Sequence, residues 1–261
     1  MTRLPVAPNR DLGQHFLVDE NILGVIGRLA ELADEDVVLE IGPGLGVLTR
    51  YLADRVGHVH AVELDRTLEP HLRERLGERA SVDIVFGDAL RLDLAALAPA
   101  PTKVVANLPY NIATPLVVES LAGLPTVVLW CVMVQREVAD RFFANPRTKA
   151  YGAVSVLVQL VAERTGFHAV GRTVFTPPPN VDSALVAFRR TGLPEGFARV
   201  KKVVEAAFAH RRKTLPNSLE LAGLADRDRA AAAVEILGRA RSSRAEELEP
   251  PEFVALARAL G

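Results

Sequence analysis

The chain alternates short apolar runs with amphipathic segments from residue 19 to residue 188, and this order constrains the fold more than any other feature of the sequence. Residues 37–41 have the length and composition of a buried parallel strand, and residues 47–52 open a helix directly after a glycine-rich loop. Further strands are predicted at residues 59–64, 82–86, 103–106, 127–134 and 184–188, and further helices at 19–32, which Asp19 can cap, and at 68–76. The alternation predicts an α/β fold, a doubly wound sheet that binds ligands at the carboxyl ends of its strands.

The pattern changes to helices alone after Arg190, and no further strand is predicted. A chain of 261 residues is long enough for one large domain and a small second one. We therefore predict two domains. Residues 1–191 hold the sheet, and residues 192–261 form a small all-helical C-terminal domain.

The composition is that of a globular protein, because 49% of the residues are hydrophobic and can fill a core. The single cysteine, Cys131, lies in the apolar run at 127–134, which excludes a disulfide framework and fits a reducing compartment. The N-terminus lacks the basic-then-apolar order of a signal peptide, and no apolar segment approaches the length of a membrane span. We expect a cytoplasmic monomer without membrane attachment.

The formal net charge of −1 conceals an uneven distribution of charge along the chain. Residues 189–261 carry 14 basic against 10 acidic side chains, whereas residues 1–188 carry 17 against 22. The densest basic run is Arg211, Arg212 and Lys213, directly after His210. Such a run is often only a solvated helix surface. Beside a site built for a nucleobase it becomes a candidate contact for nucleic-acid phosphates.

A glycine loop, Glu40-Ile-Gly-Pro-Gly-Leu-Gly46, follows the first predicted strand, where residues without a Cβ let the backbone approach a cofactor. Glu63 lies 21 residues after Gly42 at the end of the next strand, where an acidic residue binds ribose hydroxyls. A nicotinamide fingerprint needs a third glycine at position 47, which is Val47 here. The observed spacing is more typical of methyl-donor sites, although the loop and Glu63 alone do not separate the two cofactor classes.

The segment Asn107-Leu108-Pro109-Tyr110 follows a later strand and favours the methyl-donor interpretation. The amine of adenine is a poor nucleophile because its lone pair is delocalised. The Asn107 side-chain oxygen and a carbonyl of the Leu108-Pro109 turn can accept its two hydrogens, and Pro109 pre-sets that turn. Tyr110 offers a face for base stacking. Asp88, at another strand end, can accept a hydrogen bond from the adenine of the cofactor, although it can equally cap a helix.

In this order the motifs resemble those of the ribosomal RNA adenine N6-dimethyltransferases, most closely the small-subunit (16S) branch. The resemblance covers nearly the whole chain, and its segments are residues 12–17, 40–46, 62–65, 87–88, 107–111, 134–138, 151–152, 175–183 and 211–215. It implies a Rossmann-like methyltransferase sheet and the methyl donor S-adenosylmethionine, with no metal. The cofactor contacts that it implies are His15, Leu17, Gly42, Gly44, Glu63, Asp88 and Asn107. His15 stands where many relatives carry Asn.

The resemblance also implies the reaction, which is the transfer of two methyl groups to N6 of each of two adjacent adenosines. These lie in the 3′-terminal hairpin of small-subunit rRNA, inside a pre-assembled small ribosomal particle, so the protein would act in ribosome biogenesis. Catalytic roles fall on residues 107–110 and on Phe175, which is expected to stack on the flipped base. Arg211, Arg212 and Lys213 are expected to contact rRNA, although Pro216 replaces a residue that is often basic in relatives.

Three alternatives remain open from the sequence. The first is a large-subunit (23S) rRNA dimethyltransferase of the macrolide-resistance type, which shares the catalytic motifs. The second is a non-catalytic ribosome assembly factor that keeps the fold, and the third is a nicotinamide dehydrogenase. The intact segment 107–110 and Glu63 favour an active enzyme, and the run at 177–183 with the segment 211–215 favours the small-subunit branch.

Overall fold

The computed structural model describes residues 6–9 and 14–261. The strands are β1 Phe16–Leu17, β2 Val37–Ile41, β3 His58–Glu63, β4 Val82–Phe86, β5 Lys103–Asn107, β6 Leu129–Gln135, β7 Ala162–Val170, β8 Phe175–Thr176 and β9 Ser183–Arg190. The helices are α1 Asn21–Leu29, α2 Val47–Ala53, α3 Glu69–Leu76, α4 Ala113–Gly123, α5 Arg136–Phe142, α6 Ala153–Gln159, α7 Phe197–Ala209, α8 Leu215–Leu221, α9 Arg227–Ile236 and α10 Pro250–Ala259. No helix in this described part is long and apolar enough to cross a membrane.

Within the described residues, seven strands form one sheet in the order β4-β3-β2-β5-β6-β9-β7. The strands from β4 to β6 are parallel, whereas β9 runs antiparallel to β6. The chain moves outward from β2 to β4 and then crosses back to place β5 on the other side of β2. The loops after β2 and β5 therefore diverge, which leaves a crevice at the carboxyl ends of these two strands.

The central strands β2, β5 and β6 are buried on both faces, which explains why they are nearly continuous apolar runs in the sequence. Residues 129–134 of β6 are all buried, and the Trp130 ring stacks on Phe188 of β9 with 5.3 Å between centroids. Ile26 of α1 and Leu52 of α2 belong to one core cluster, which also contains residues of β2, β5 and β6. A second cluster forms around Leu68 and Leu72, at the start of α3.

The sequence predicted the central strands well and missed the strands at the margins. The predicted bounds of β2 and β4 are those of the structure, and the other predicted strands differ from it by one or two residues at their ends. In α1 the Asp19 carboxylate accepts the Asn21 N–H at 2.8 Å, and the helix ends at Leu29, before the last predicted apolar position. Strand β7 was not predicted, because most of its residues are polar or exposed and form no apolar run.

The chain forms two compact units, one of residues up to Ala139 with Arg164–Arg190, the other of Asp140–Glu163 with Thr191–Gly261. After Arg190 the structure contains helices only, as predicted. The units differ from the predicted domains in one segment, since residues 140–163 group with the C-terminal helices. The buried Tyr151 hydroxyl donates to the Leu248 carbonyl at 2.8 Å, and such a contact between distant residues leaves no signal in the local pattern.

Candidate functional site

A cavity of about 290 Å³ opens at the crevice beside β2 and β5. The ends of β2, β3 and β5, the turn after β4 and residues 14–16 line it. The structure thus brings together six residues that the sequence assigned to one site, together with the segment 108–110; the six are His15, Gly42, Gly44, Glu63, Asp88 and Asn107. Residues from four strand ends converge there because parallel strands present their carboxyl ends at one edge of the sheet.

The glycine loop approaches the cavity in a conformation that favours glycine. Gly42 and Gly44 have φ angles of 73° and 58°, in the left-handed region. A Cβ on Gly42 would lie 3.2 Å from the Pro109 ring, and one on Gly44 would lie 3.0 Å from the Phe16 ring. A side chain at either position would therefore be strained and would crowd the wall of the cavity.

Glu63 closes one side of the cavity at the end of β3 and is 6% exposed. Its Oε1 accepts the Asp65 N–H at 2.9 Å and its Oε2 accepts the Gly44 N–H at 3.1 Å. Burial raises the pKa of Glu63, and these backbone hydrogen bonds oppose the rise. Each carboxylate oxygen has a second lone pair, so Glu63 can hold the loop and still accept hydrogen bonds from the two hydroxyls of a ribose.

Asn107 presents an unsatisfied acceptor beside this cavity. Its Nδ2 donates to the His15 carbonyl over a long 3.4 Å, and its Oδ1 is buried without a hydrogen-bond partner. The Leu108 N–H donates to the Met133 carbonyl at 3.0 Å, which fixes the start of the turn to β6. Within the described residues the Leu108 carbonyl accepts no hydrogen bond, whereas the Pro109 carbonyl accepts the Ile112 N–H. Two acceptors of the turn, Asn107 Oδ1 and the Leu108 carbonyl, are therefore available to a ligand.

Tyr110 is held by a residue to which the sequence gave no role. Its hydroxyl lies 2.6 Å from the Ser183 Oγ, and Ser183 is buried at the start of β9. Burial raises the pKa of Tyr110, and the hydrogen bond to Ser183 opposes this effect. The His15 ring lies 5.7 Å from the Tyr110 ring, and its Nδ1 donates to the Pro177 carbonyl at 2.8 Å. This bond leaves the His15 Nε2 as the acceptor of the neutral ring.

Glu40 is a second carboxyl group beside the site that sequence reasoning did not single out. It is 1% exposed, and its Oε2 has no hydrogen-bond partner. Burial raises the pKa of Glu40 to about 8, the Thr49 hydroxyl opposes this rise, and the charge of Glu63 adds to it. Glu40 lines a small cavity of about 30 Å³ that Leu17 and Asn107 also line. The signal in the sequence was an acidic residue inside an otherwise apolar strand.

The remaining predicted residues have mixed placements. Asp88 lines the main cavity, while its Oδ1 accepts the Leu90 N–H at 3.0 Å, so it both caps a turn and reaches the site. Leu17 lines the small cavity and not the larger one. Phe175 does not reach the main cavity, because it is 2% exposed and packs in the core cluster of α1 and α2. Its stacking role stays a prediction that requires its ring to leave the core.

The basic residues Arg211, Arg212 and Lys213 lie in the second unit, and Arg211 contacts other residues of that unit. Arg211 donates to the Tyr151 carbonyl at 2.8 Å and forms an ion pair with Glu246 at 3.3 Å. Arg212 and Lys213 are exposed. Arg211 therefore makes contacts within the protein, whereas the side chains of Arg212 and Lys213 are exposed to solvent.

Comparisons with known proteins agree with this geometry. A family model described as "Ribosomal RNA adenine dimethylase" matches residues 7–251. The chain belongs to that family. It is accordingly an rRNA adenine dimethyltransferase, and the dehydrogenase and non-catalytic interpretations are set aside. The prediction of the family from the sequence motifs is confirmed.

Relatives of this enzyme match it over nearly its whole length. It is 50% identical to "Ribosomal RNA small subunit methyltransferase A" of Rubrobacter xylanophilus, over 96% of this chain and 94% of the relative. The protein of the same name from Lactiplantibacillus plantarum is 44% identical, over 96% and 89%.

The chain is also similar to solved structures, among them the following two. A dimethyladenosine transferase from Plasmodium falciparum has a TM-score of 0.76 and 24% identity, covering 93% of this chain and 96% of that one, and shows the shared fold. The 23S rRNA methyltransferase ErmE has a TM-score of 0.67 and 32% identity, covering 94% and 99%. The predicted α/β methyltransferase fold is confirmed.

Proposed function

We propose that the protein transfers two methyl groups from S-adenosylmethionine to N6 of each of two adjacent adenosines in the 3′-terminal hairpin of small-subunit rRNA. The substrate is the pre-assembled small ribosomal particle. The names of the relatives support this choice, because proteins named for the small subunit are 44% and 50% identical, whereas the 23S enzyme is 32% identical. The single observation that carries the chemistry is the buried, unpaired Asn107 Oδ1 beside a cavity walled by Glu63.

The residues of the main cavity fit S-adenosylmethionine. Glu63 accepts the ribose hydroxyls, Asp88 accepts the adenine amine, and the backbone at Gly42 and Gly44 lies against the donor without intervening side chains. A volume of about 290 Å³ is at the lower end of the range for small-molecule sites. When bound, the donor supplies an electrophilic methyl group on a sulfonium. His15 contributes a contact from the N-terminal segment, and Leu17 lines the small cavity, which shares His15, Gly42 and Asn107 with the main one.

The turn at residues 107–110 orients the amine. In the first transfer Asn107 Oδ1 and the Leu108 carbonyl accept the two amine hydrogens, which directs the lone pair at the methyl group; in the second transfer the monomethylated amine has one hydrogen for them to accept. Each transfer breaks the bond between sulfur and the methyl carbon, leaves the donor as a neutral thioether, and is followed by loss of one proton from N6 to solvent. Tyr110 stacks on the base, and its hydrogen bond to Ser183 fixes the ring. These groups act by position and electrostatics, because methyl transfer needs no covalent intermediate on the protein.

The second unit supplies charge for rRNA. Arg212 and Lys213 are exposed and can each neutralise a backbone phosphate. Arg211 contributes indirectly, since its hydrogen bond to the Tyr151 carbonyl positions the run.

The deciding experiment supplies labelled S-adenosylmethionine to unmethylated small and large ribosomal particles in separate reactions. Mass spectrometry then maps the modified nucleotides. We expect dimethyladenosine at two neighbouring positions of small-subunit rRNA only. Label confined to large-subunit rRNA would instead select the 23S reaction, for which the similarity to ErmE is the supporting observation.

A further inference from the structure

Three side chains with metal-ligand chemistry meet on strands β3 and β4, at the opposite end of β3 from Glu63. His58 and His60 are two residues apart on β3 and so project from the same face, and Asp83 of β4 is the register partner of His60. The Asp83 Oδ2 lies 2.9 Å from His58 Nε2 and 3.5 Å from His60 Nδ1. The three ligand atoms all lie within 4.8 Å of one another.

His60 is oriented as a ligand rather than as an ordinary core histidine. Its Nε2 lies 2.8 Å from the Pro99 carbonyl, which can only accept, so Nε2 carries the proton. In the neutral ring Nδ1 then carries no proton and presents a lone pair. It is buried, has no hydrogen-bond partner, and lies beside the Asp83 carboxylate oxygen. Two electron-rich atoms in this position repel each other unless a cation lies between them.

We propose that His58, His60 and Asp83 bind a divalent metal ion of the Zn²⁺ class. Two imidazole nitrogens and one carboxylate oxygen form a donor set that Zn²⁺ prefers. Tetrahedral Zn²⁺ with bonds of about 2.0–2.1 Å separates its ligand atoms by about 3.3 Å. The two distances from Asp83 Oδ2, of which the shorter is also a hydrogen bond, are 2.9 and 3.5 Å, and the two histidine nitrogens lie within 4.8 Å of each other. The Pro99 carbonyl is the outer partner that fixes the tautomer of His60.

The cluster also provides a route for the ion and a fourth coordination position. The Asp83 side chain is 53% exposed and that of His58 is 14% exposed, so the ion can enter from solvent and retain a water ligand. The site ties β3 to β4 and to the segment that carries Pro99. Its role is structural, because the cavity that holds the reaction lies at the other end of β3.

The alternative occupant is a proton on His60 Nδ1, paired with Asp83. Calorimetry with Zn²⁺ on the full chain without a histidine tag, after dialysis against a chelator, separates the two. Asp83→Asn and His58→Gln remove one ligand each at partly exposed positions, which keeps the buried His60 and the fold intact. His168→Gln is the matched control, because His168 is exposed and outside the cluster.

We expect one Zn²⁺ per chain, visible absorption when Co²⁺ replaces it, and a higher melting temperature with metal. Each ligand variant should lose more than about 100-fold in affinity, beyond the usual effect of an outer partner, and the His168→Gln control should lose none. Zn²⁺ affinity that is equal in all four proteins would overturn the proposal. So would the absence of binding together with an NMR signal for a doubly protonated His60.

Discussion

The substitution Asn107→Ala separates catalysis from stability more cleanly than any other at this site. In the folded protein Asn107 makes one long hydrogen bond of 3.4 Å and leaves one buried acceptor unpaired. Loss of the hydrogen bond costs about 0.5–1.5 kcal/mol, whereas removal of the unpaired acceptor recovers about 1–3 kcal/mol. The two effects oppose each other, so the free energy of unfolding should lie between about 0.5 kcal/mol below and about 2.5 kcal/mol above that of wild type.

Turnover should fall far more than stability. A hydrogen bond to the reacting amine that matters chiefly in the transition state contributes about 1.5–3 kcal/mol, which is roughly 10- to 100-fold in rate. Single-turnover methylation of unmethylated small particles at saturating S-adenosylmethionine measures this effect directly. Denaturant unfolding of the same preparation gives the stability.

Asn145→Ala is the matched control, since Asn145 is exposed and does not line the cavity. It should retain close to wild-type turnover. A near-wild-type rate for Asn107→Ala would refute the proposed role. A loss of more than about 3 kcal/mol in unfolding free energy would show that the residue is structural, because it would exceed the worth of its one hydrogen bond.

Three further outcomes are expected. Glu63→Ala should weaken S-adenosylmethionine about 100-fold or more, since two hydrogen bonds to a carboxylate are lost, and calorimetry without RNA that finds an unchanged Kd would remove Glu63 from the site. Below its ordinary pKa of 4.5, Glu40 is neutral in both the folded and the unfolded chain. Burial raises its pKa in the folded chain to about 8, so between pH 4.5 and pH 8 only the unfolded chain gives up the proton. The unfolding free energy of wild type therefore falls by about 1.4 kcal/mol for each pH unit in this range. The gain in unfolding free energy on Glu40→Gln should therefore grow from pH 5 to pH 8 in denaturant titrations, and a constant difference would show that Glu40 ionises normally. The double variant Arg212→Ala and Lys213→Ala should flatten the log–log salt dependence of particle binding by about 1.5–2, whereas Arg211→Ala should mainly destabilise the second unit; an unchanged slope in the double variant would leave the run a solvated surface.

The central sheet and the position of the cofactor site followed from the sequence because both depend on local pattern. Apolar runs of strand length gave β2 and β4 their bounds, and parallel strands must end at one edge. Glu63 and Asn107 were therefore predicted to meet although they are far apart in the chain, and they line one cavity. Their chemistry, an acceptor for ribose and an acceptor for an amine, is a property of residue type and needed no coordinates.

Tertiary structure alone decided which predicted side chains are available to a ligand. Phe175 and Leu17 have the residue types that the motif requires, yet packing placed Phe175 in the core and Leu17 in the small cavity. Ser183 became the partner of Tyr110, 73 residues away in the chain, because β9 pairs with β6. Arg211 keeps its predicted phosphate contact as a prediction, and only the fold shows that its guanidinium donates to the Tyr151 carbonyl, 60 residues away in the chain.

The same limit applies to the histidine cluster and to the edge of the sheet. The sequence did not predict a site at His58 and His60. Two histidines at alternate positions of a strand form a candidate metal site only when the neighbouring strand places Asp83 opposite them. Strand β7 was not predicted because it is an edge strand with exposed polar residues and therefore lacks the apolar run by which strands were predicted. Sequence pattern determines which backbone segments form strands and helices through local burial, whereas side-chain partners depend on register and packing between distant segments.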